Sequence, residues 1–401
     1  MNEPFAESNE KFFIEISYSQ HYKNGQIVSG DTFMSKKIKD ETRFVAVLSD
    51  GLGSGIKANV LSTLTASMAV NYREQHKPLV ESLISIMDTL PKDSKKNIAY
   101  ATCSIIDIDY SGEANIVEYD NPEFILLREN KHIEPRKKSI KLDTKQGERV
   151  LLNSQLMLFK GDRLIFVSDG VTQSGLGMRN LAMGWERSKV IEFVSDYVTK
   201  HPDVSAKDLS KVVMQKALHN DIFKAKDDIT CAVVYLRAPR KLLICSGPPF
   251  DEKQDAYMAE LFDKYPGKKL ISGGTTAHIL ARELNRKVTG DGRQAIKTNL
   301  PTTARMDGAE LVTEGILTLG HLADLIQGFK EDQPIEESPA AEILRLICES
   351  DIIDFLVGTR INEAHYDPTL PVEMEIRRNL IRRLKVLIED KLMKKVRIKY
   401  I

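Results

Sequence analysis

One ending constrains this chain more than any other feature: an apolar run that stops in aspartate and glycine. Arg43-Phe44-Val45-Ala46-Val47-Leu48 is short, apolar and rich in β-branched residues, which predicts a buried strand. It runs into Ser49-Asp50-Gly51-Leu52-Gly53-Ser54-Gly55. Residues 57–74 then read as a helix, with good helix formers and no internal Gly or Pro. An aspartate at a strand's end, followed by backbone free to turn sharply, can aim its carboxylate at a metal. Two nucleotide-binding readings fail on spacing. Ile56 separates Gly55 from Lys57, so the phosphate-loop ending Gly-Lys-Ser/Thr is missing. The glycines run G-x-G-x-G, where a dinucleotide fingerprint needs G-x-G-x-x-G. Taken alone, the stretch fits a tight turn with a solvated aspartate equally well.

Recurrence separates the two readings. Asp162-Arg163-Leu164-Ile165-Phe166-Val167-Ser168-Asp169-Gly170 repeats the design, and Asp227-Asp228 opens the apolar run Ile229–Tyr235. Ser29-Gly30-Asp31 lies just before a further strand pattern. Four aspartates at the ends of four strands can converge on one sheet edge. Clustered carboxylates repel one another, so such a cluster is tolerable around cations. Oxygen ligands without His or Cys favour Mg²⁺ or Mn²⁺ over Zn²⁺.

Asp50-Gly51-Leu52-Gly53-Ser54-Gly55, Ser168-Asp169-Gly170-Val171 and Lys226-Asp227-Asp228-Ile229-Thr230 resemble the motifs of metal-dependent, type 2C serine/threonine phosphatases. The Gly-Ser-Gly after the first Asp-Gly points to the bacterial SpoIIE-like branch. The resemblance covers roughly residues 10–238. It implies hydrolysis of a phosphoserine or phosphothreonine ester by a water activated between two divalent cations, Mn²⁺ or Mg²⁺. Asp50 would bridge the ions, the Gly51 carbonyl would add a ligand, and Asp169 and Asp227 would complete the second site. The resemblance places the metal on Asp227 rather than Asp228, which remains a candidate ligand, and Asp31 would act through water. The catalytic set is then Asp50, Asp169 and Asp227, with no protein nucleophile; none of the eight histidines falls in the three motifs. The branch acts on phosphoserine in small bacterial signalling proteins, so the expected partner is a phosphoprotein. One departure stands out: Gln173 occupies a position where the family usually has a carboxylate, and an amide is a poor ligand for a hard cation. The competing class is a non-catalytic, phosphatase-like sensing or docking module, which loss of core aspartates would support; none is lost. Hydrolysis of a small phosphate ester is a third option.

Around these motifs the first part reads as an α-β-β-α sandwich. Two helical pairs (57–74 and 78–87; 188–198 and 206–219) accompany many short strands. Residues 97–140 have period two and read as an antiparallel meander, with Asn121-Pro122 as a turn and nothing more. Gly175, Gly177 and Gly184 dot a segment that reads as a surface loop or a flap beside the metal edge.

The domain reading is 1–238 for the phosphatase-like part and 240–401 for a smaller, doubly wound, mainly parallel α/β domain. In the second part, strands near 242–245, 269–271, 310–312, 352–357 and 396–400 alternate with helices near 252–264, 276–286, 318–329, 339–349 and 373–394. Its motifs assign no family. Four strands end in glycine-bearing turns, at Gly247, Gly273-Gly274, Gly315 and Gly358. In a parallel sheet these meet at one edge, where a small ligand or a protein partner could bind and regulate the phosphatase. Arg360, Asn362 and His365 could add polar contacts. Arg377, Arg378, Arg382 and Arg383 read as a solvated basic face, with Ile376, Leu380, Leu384 and Leu387 packed on the sheet.

With 57 basic and 57 acidic residues the chain is neutral, which argues against nucleic acid as the main partner. No apolar run reaches membrane-spanning length and the N-terminus is polar and acidic, so a soluble, cytoplasmic protein is expected. Cys103, Cys231, Cys245 and Cys348 sit scattered in apolar stretches and read as buried core residues.

Overall fold

Central strands buried on both faces build the first unit, Asn9–Ala238, as two antiparallel sheets with helices on their outer faces. The computed structural model describes residues 12–38, 43–90, 101–144, 147–290, 303–329, 336–360 and 373–401. In chain order the unit contains β1 (Phe13–His21), β2 (Asp31–Ile38), β3 (Arg43–Asp50), α1 (Ile56–Glu74), α2 (Leu79–Thr89), β4 (Cys103–Asp109), β5 (Glu113–Tyr119) and β6 (Ile125–Arg128). There follow β7 (Lys131–Ile133), β8 (Lys138–Thr144), β9 (Gly147–Met157), β10 (Arg163–Val167), α3 (Asp169–Thr172), α4 (Arg187–Lys200), α5 (Ala206–Asn220) and β11 (Ile229–Arg237). One sheet has the order β2-β3-β4-β5-β9-β8, the other β1-β11-β10-β6-β7.

Strand β3 shows why its run is continuously apolar. Val45 and Val47 pack under α1 and α2, against Ala66, Ala69 and Leu83. Ala46 and Leu48 face the other way, into a layer with Ile106, Ile116, Phe166 and Val234. That middle layer is the space between the sheets. A third layer joins Ile165, Val167, Cys231 and Val233 to Val190, Val194, Leu209 and Val213 of α4 and α5. Three apolar layers between four structural ones make the α-β-β-α sandwich.

The meander expected over 97–140 divides into two hairpins, β4–β5 and β6–β7, in different sheets. Strand β5 takes β9 as its other partner, while β6 joins the opposite sheet beside β10 and β7. The Asn121-Pro122 segment therefore carries the chain from one sheet to the other. Two-residue periodicity reports burial and is silent on which strand is the partner.

The second unit, Pro239–Ile401, is doubly wound. It contains β12 (Lys241–Ser246), α6 (Asp255–Asp263), β13 (Lys268–Ser272), α7 (Gly274–Glu283), β14 (Val288–Gly290), β15 (Ala304–Met306), β16 (Ala309–Thr313) and α8 (Ile316–Gly328). The last elements are α9 (Pro339–Cys348), β17 (Ile352–Val357), α10 (Glu373–Lys391) and β18 (Lys395–Tyr400). The sheet order is β14-β15-β16-β13-β12-β17-β18. Strands β16, β13, β12, β17 and β18 are parallel, and β14 and β15 extend one edge antiparallel. That short extension has no counterpart in the sequence reading. Helices α6 and α7 cover the face of Leu243, Cys245, Ile271 and Leu356. Helices α8, α9 and α10 cover the face of Leu242, Ile244, Ile353 and Phe355.

Two expectations change here. Arg377 is 9% exposed and turned inward, whereas Ile376 is 42% exposed; the buried stripe of α10 is Ile381, Leu384 and Ile388. Cys348 is exposed, and the other three cysteines are buried. Asn362 and His365 lie outside the described residues. Among the described residues, no helix is long and apolar enough to cross a membrane.

Candidate metal centre

The two sheets bring their aspartates together at one end. Asp31 opens β2 and Asp50 closes β3, and the antiparallel register makes them direct partners. In the other sheet, Ser168 N donates to the Thr230 carbonyl at 3.0 Å, and Thr230 N donates to Ser168 Oγ at 3.0 Å. That pairing sets Asp169, at the start of α3, beside Asp227 and Asp228, just ahead of β11. Thr230 Oγ1 donates to Asp31 Oδ2 at 2.6 Å and so ties the two sheets across their gap. Gln20 Nε2 secures the junction, donating to the Asp31 carbonyl and to Thr230 Oγ1, each at 3.0 Å.

Close backbone approach explains the repeated Asp-Gly. A Cβ on Gly51 would stand 2.0 Å from the Ala58 carbonyl oxygen of α1. A Cβ on Gly170 would stand 2.1 Å from the Asp228 carbonyl oxygen. At both places another backbone segment passes directly behind the carboxylate, and only glycine leaves it room.

The cluster is electrostatically loaded. Burial, then Asp31, Asp169 and Asp227, push the Asp50 carboxyl up to about 9. Burial above all pushes Asp31 up to about 7. Asp169 is raised by burial and by Asp227. Asp50 lies within hydrogen-bonding reach of both Asp31 and Asp169. Carboxylates this close share a proton or a cation. Asp31 is 2% exposed, and its Oδ1 is buried with no hydrogen-bond partner among the described residues. An orphaned, buried carboxylate oxygen beside three further carboxylates fits a hard divalent cation in donor type and charge. Among the described residues, however, no three Asp, Glu, His or Cys side chains already stand as a closed ligand shell.

Asp228 sits differently from the other four. Its Oδ1 accepts from Lys23 N at 2.9 Å, and it is 3% exposed. Lys23 Nζ lies 3.5 Å from Asp227 Oδ1 and brings a positive charge to the rim of the cluster. Gln173 Nε2 donates to Asp169 Oδ2 at 3.0 Å. Asn121 is more than a turn residue: it accepts from Thr102 Oγ1, and its Nδ2 donates to the Leu48 carbonyl at 3.2 Å and to Ser104 Oγ at 3.0 Å. Thr102 Oγ1 in turn accepts from Asp50 N at 3.1 Å. Asn121 thereby supports the strand end that presents Asp50. Lys23, Gln20 and Asn121 lie outside the three motifs, and an Asn-Pro pair was the one local signal among them. The glycine-dotted segment is held down: Gly175 N donates to Asp221 Oδ1 at 2.7 Å and Lys226 Nζ to the Leu176 carbonyl at 2.6 Å.

Residues 40–237 match the family model described as Stage II sporulation protein E (SpoIIE). Asp31 precedes that span. No curated protein sequence matches the chain. Among solved structures, the phosphatase domain of the cell fate determinant SpoIIE from Bacillus subtilis is 16% identical, covering 58% of this chain and 95% of that one at a TM-score of 0.40. RsbX in complex with magnesium is 21% identical, covering 57% of this chain and 98% of that one at a TM-score of 0.39. PppA, a regulatory component of T6SS in Pseudomonas aeruginosa, is 13% identical, covering 56% and 98% at a TM-score of 0.40. Residues 40–237, just under half of the chain, form a domain of the SpoIIE family of PP2C-like serine/threonine phosphatase domains.

Proposed function

We propose that the first unit is a metal-dependent phosphatase that hydrolyses phosphoserine or phosphothreonine on a signalling phosphoprotein. The observation that carries this reading is the meeting of Asp31, Asp50, Asp169 and Asp227, with one buried oxygen of Asp31 left without a partner. Asp50, Asp169, Asp227 and the Gly51 carbonyl are the ligands proposed for two divalent cations, Mn²⁺ or Mg²⁺, with Asp31 reaching them through water. When bound, the cations make a water nucleophilic at neutral pH and offset charge on the phosphoryl oxygens. Asp228 holds the Lys23 backbone in place, and Lys23 Nζ supplies a cation near the rim where a phosphate would enter. Gln173 and Asn121 position Asp169 and the Asp50 strand end. The second unit is proposed to regulate this activity by sensing a ligand or docking a partner.

Hydrolysis of p-nitrophenyl phosphate with and without Mn²⁺ tests the reading, together with calorimetric Mn²⁺ binding. Asp50→Asn, Asp169→Asn and Asp227→Asn are each expected to lose on the order of a hundredfold in rate or more. Undiminished hydrolysis in Asp50→Asn sinks the assignment. Manganese binding without any hydrolysis of this ester or of a phosphoserine peptide favours the non-catalytic module.

A further inference from the structure

The parallel strands of the second unit end at a cavity of about 550 Å³. It is built by four separated segments, residues 246–248, 272–276, 314–317 and 376–377. Its size lies in the range of about 300–1,000 Å³ usual for small-molecule sites. Its place is also the one where open α/β sheets bind ligands. After β12 the chain passes to the α6 face, and after the neighbouring β17 to the α10 face, so the winding reverses between adjacent strands. Strands β13 and β16 repeat that divergence through α7 and α8.

We propose that this cavity binds a nucleotide-sized phosphate ester carrying an apolar ring. The proposal rests on the reading of the second unit as a ligand-sensing part, and it names the ligand class. Four features of the cavity wall point to it. Helices α7 and α8 both begin there, at Gly273 and Gly315; neither has a side-chain cap or an acidic residue in its first turn. Their first N–H groups and positive dipole ends face the same space and favour an anion. Arg377 lines the cavity, and its Nη1 donates to the Gly358 and Arg360 carbonyls at 3.2 Å each, which holds the positive charge beside the site. A Cβ on Gly247 would stand 2.6 Å from that Nη1, so glycine there lets the charge lie against the β12 turn.

The third feature is Gly274. It is the first residue of α7, where alanine would be the better helix former, and a Cβ on it would meet nothing within 4 Å. The protein's own packing therefore does not ask for glycine at this point. That leaves open backbone at the helix start, where a ligand can approach closely. The fourth is the apolar side. Leu317 is 68% exposed and Ile376 42% exposed at the cavity, beside Ile316, where a ring can pack. Glu314, exposed at the rim, offers an acceptor to the ligand's hydroxyl groups. Arg360, by contrast, is paired with Glu252 at 2.6 Å and is not part of the wall.

The test uses the full chain in chelator, which silences cation-dependent phosphate binding in the first unit. Titrations with AMP, ADP, ATP and inorganic pyrophosphate are read by calorimetry and by melting temperature. At least one nucleotide is expected to bind, and to bind more tightly than pyrophosphate. Gly274→Val fills the space. Thr275→Glu places a carboxylate in the first turn, which favours the helix but repels phosphate. Each is expected to weaken binding tenfold or more, with Asp50→Asn unchanged. If Gly274→Val does not fold, Thr275→Glu carries the comparison. Binding of none of the four probes overturns the ligand class. So does binding that is lost in Asp50→Asn and kept in both cavity variants. Equal binding of pyrophosphate overturns the apolar-ring part. Binding that leaves Mn²⁺-dependent hydrolysis unchanged at saturation upholds the site and overturns the regulatory reading alone.

Discussion

Gln173→Glu gives the sharpest test of how the metal centre is balanced. In the native chain the Gln173 amide donates to Asp169 Oδ2 at 3.0 Å. Glutamate turns that donor into a second carboxylate facing the first. Two unit charges about 4 Å apart repel by about 1 kcal/mol in bulk water and about 4 kcal/mol at an effective dielectric constant of 20. Residue 173 is exposed, so the lower figure governs. The lost hydrogen bond adds a comparable amount. Metal-free Gln173→Glu should therefore be less stable by roughly 1–2 kcal/mol, a few degrees in melting temperature. Divalent cations reverse the sign, because the repulsion is relieved when a cation sits between the carboxylates. Relief of that size corresponds to roughly 5- to 30-fold tighter Mn²⁺ binding. Calorimetric Mn²⁺ titration, with melts in chelator and in Mn²⁺, measures both halves. Weaker Mn²⁺ binding in the glutamate variant refutes the reasoning, as does a metal-free melt that is unchanged or raised.

Three further outcomes are expected. Asp31, Asp50 and Asp169 titrate above the ordinary carboxylate value in the folded chain, so their protonated forms favour folding at low pH. That contribution is lost as pH rises through about 7 for Asp31 and about 9 for Asp50. In chelator the melting temperature should fall from pH 6 to 9.5, less steeply in Asp50→Asn; a profile that does not differ between the two contradicts the assignment. Gly51→Ala drives a Cβ into the Ala58 carbonyl and should cost about 1–3 kcal/mol in denaturant melts. Its Mn²⁺-dependent hydrolysis should drop at least about tenfold if the displaced Asp50 is a ligand. Asn121→Ala leaves the Leu48 carbonyl and Ser104 Oγ without this donor, for about 1–3 kcal/mol, and an unchanged melt would remove its positioning role.

The readable parts of the sequence were those where burial imposes a local pattern. Strand β3 is buried on both faces and reads as one apolar run, and the second unit alternates strand and helix because its sheet is covered on both sides. The aspartates were readable because they flank such runs, Asp50 and Asp169 two residues past the end and Asp227 two residues before the start. What stayed hidden depends on partners distant in sequence. Strand β6 is as apolar as β5, yet its sheet is decided by packing against β10. Arg377 looks like one more basic residue on a helix, and only the tertiary fold turns it inward against the β12 turn. Lys23 reaches the cluster from a loop with no pattern of its own. Asn121 carries a turn signal that masks its bonds to β3 and β4.

The pairing of β1 with β11 bears on how the protein is born. Phe13 lies opposite Arg237 and His21 opposite Ile229, so the first strand of the unit waits for the last. At ribosomal speeds of about 5–20 residues per second, that wait is on the order of tens of seconds. During it Asp31 and Asp50 are already synthesised while Asp169 and Asp227 are not. A chain that stops before Asp169 thus carries half of the carboxylate cluster and has no means of assembling the rest. Whatever chemistry the cluster performs is withheld until the whole unit has left the ribosome. The same delay leaves β1 without its neighbour, an open edge for chaperones to guard.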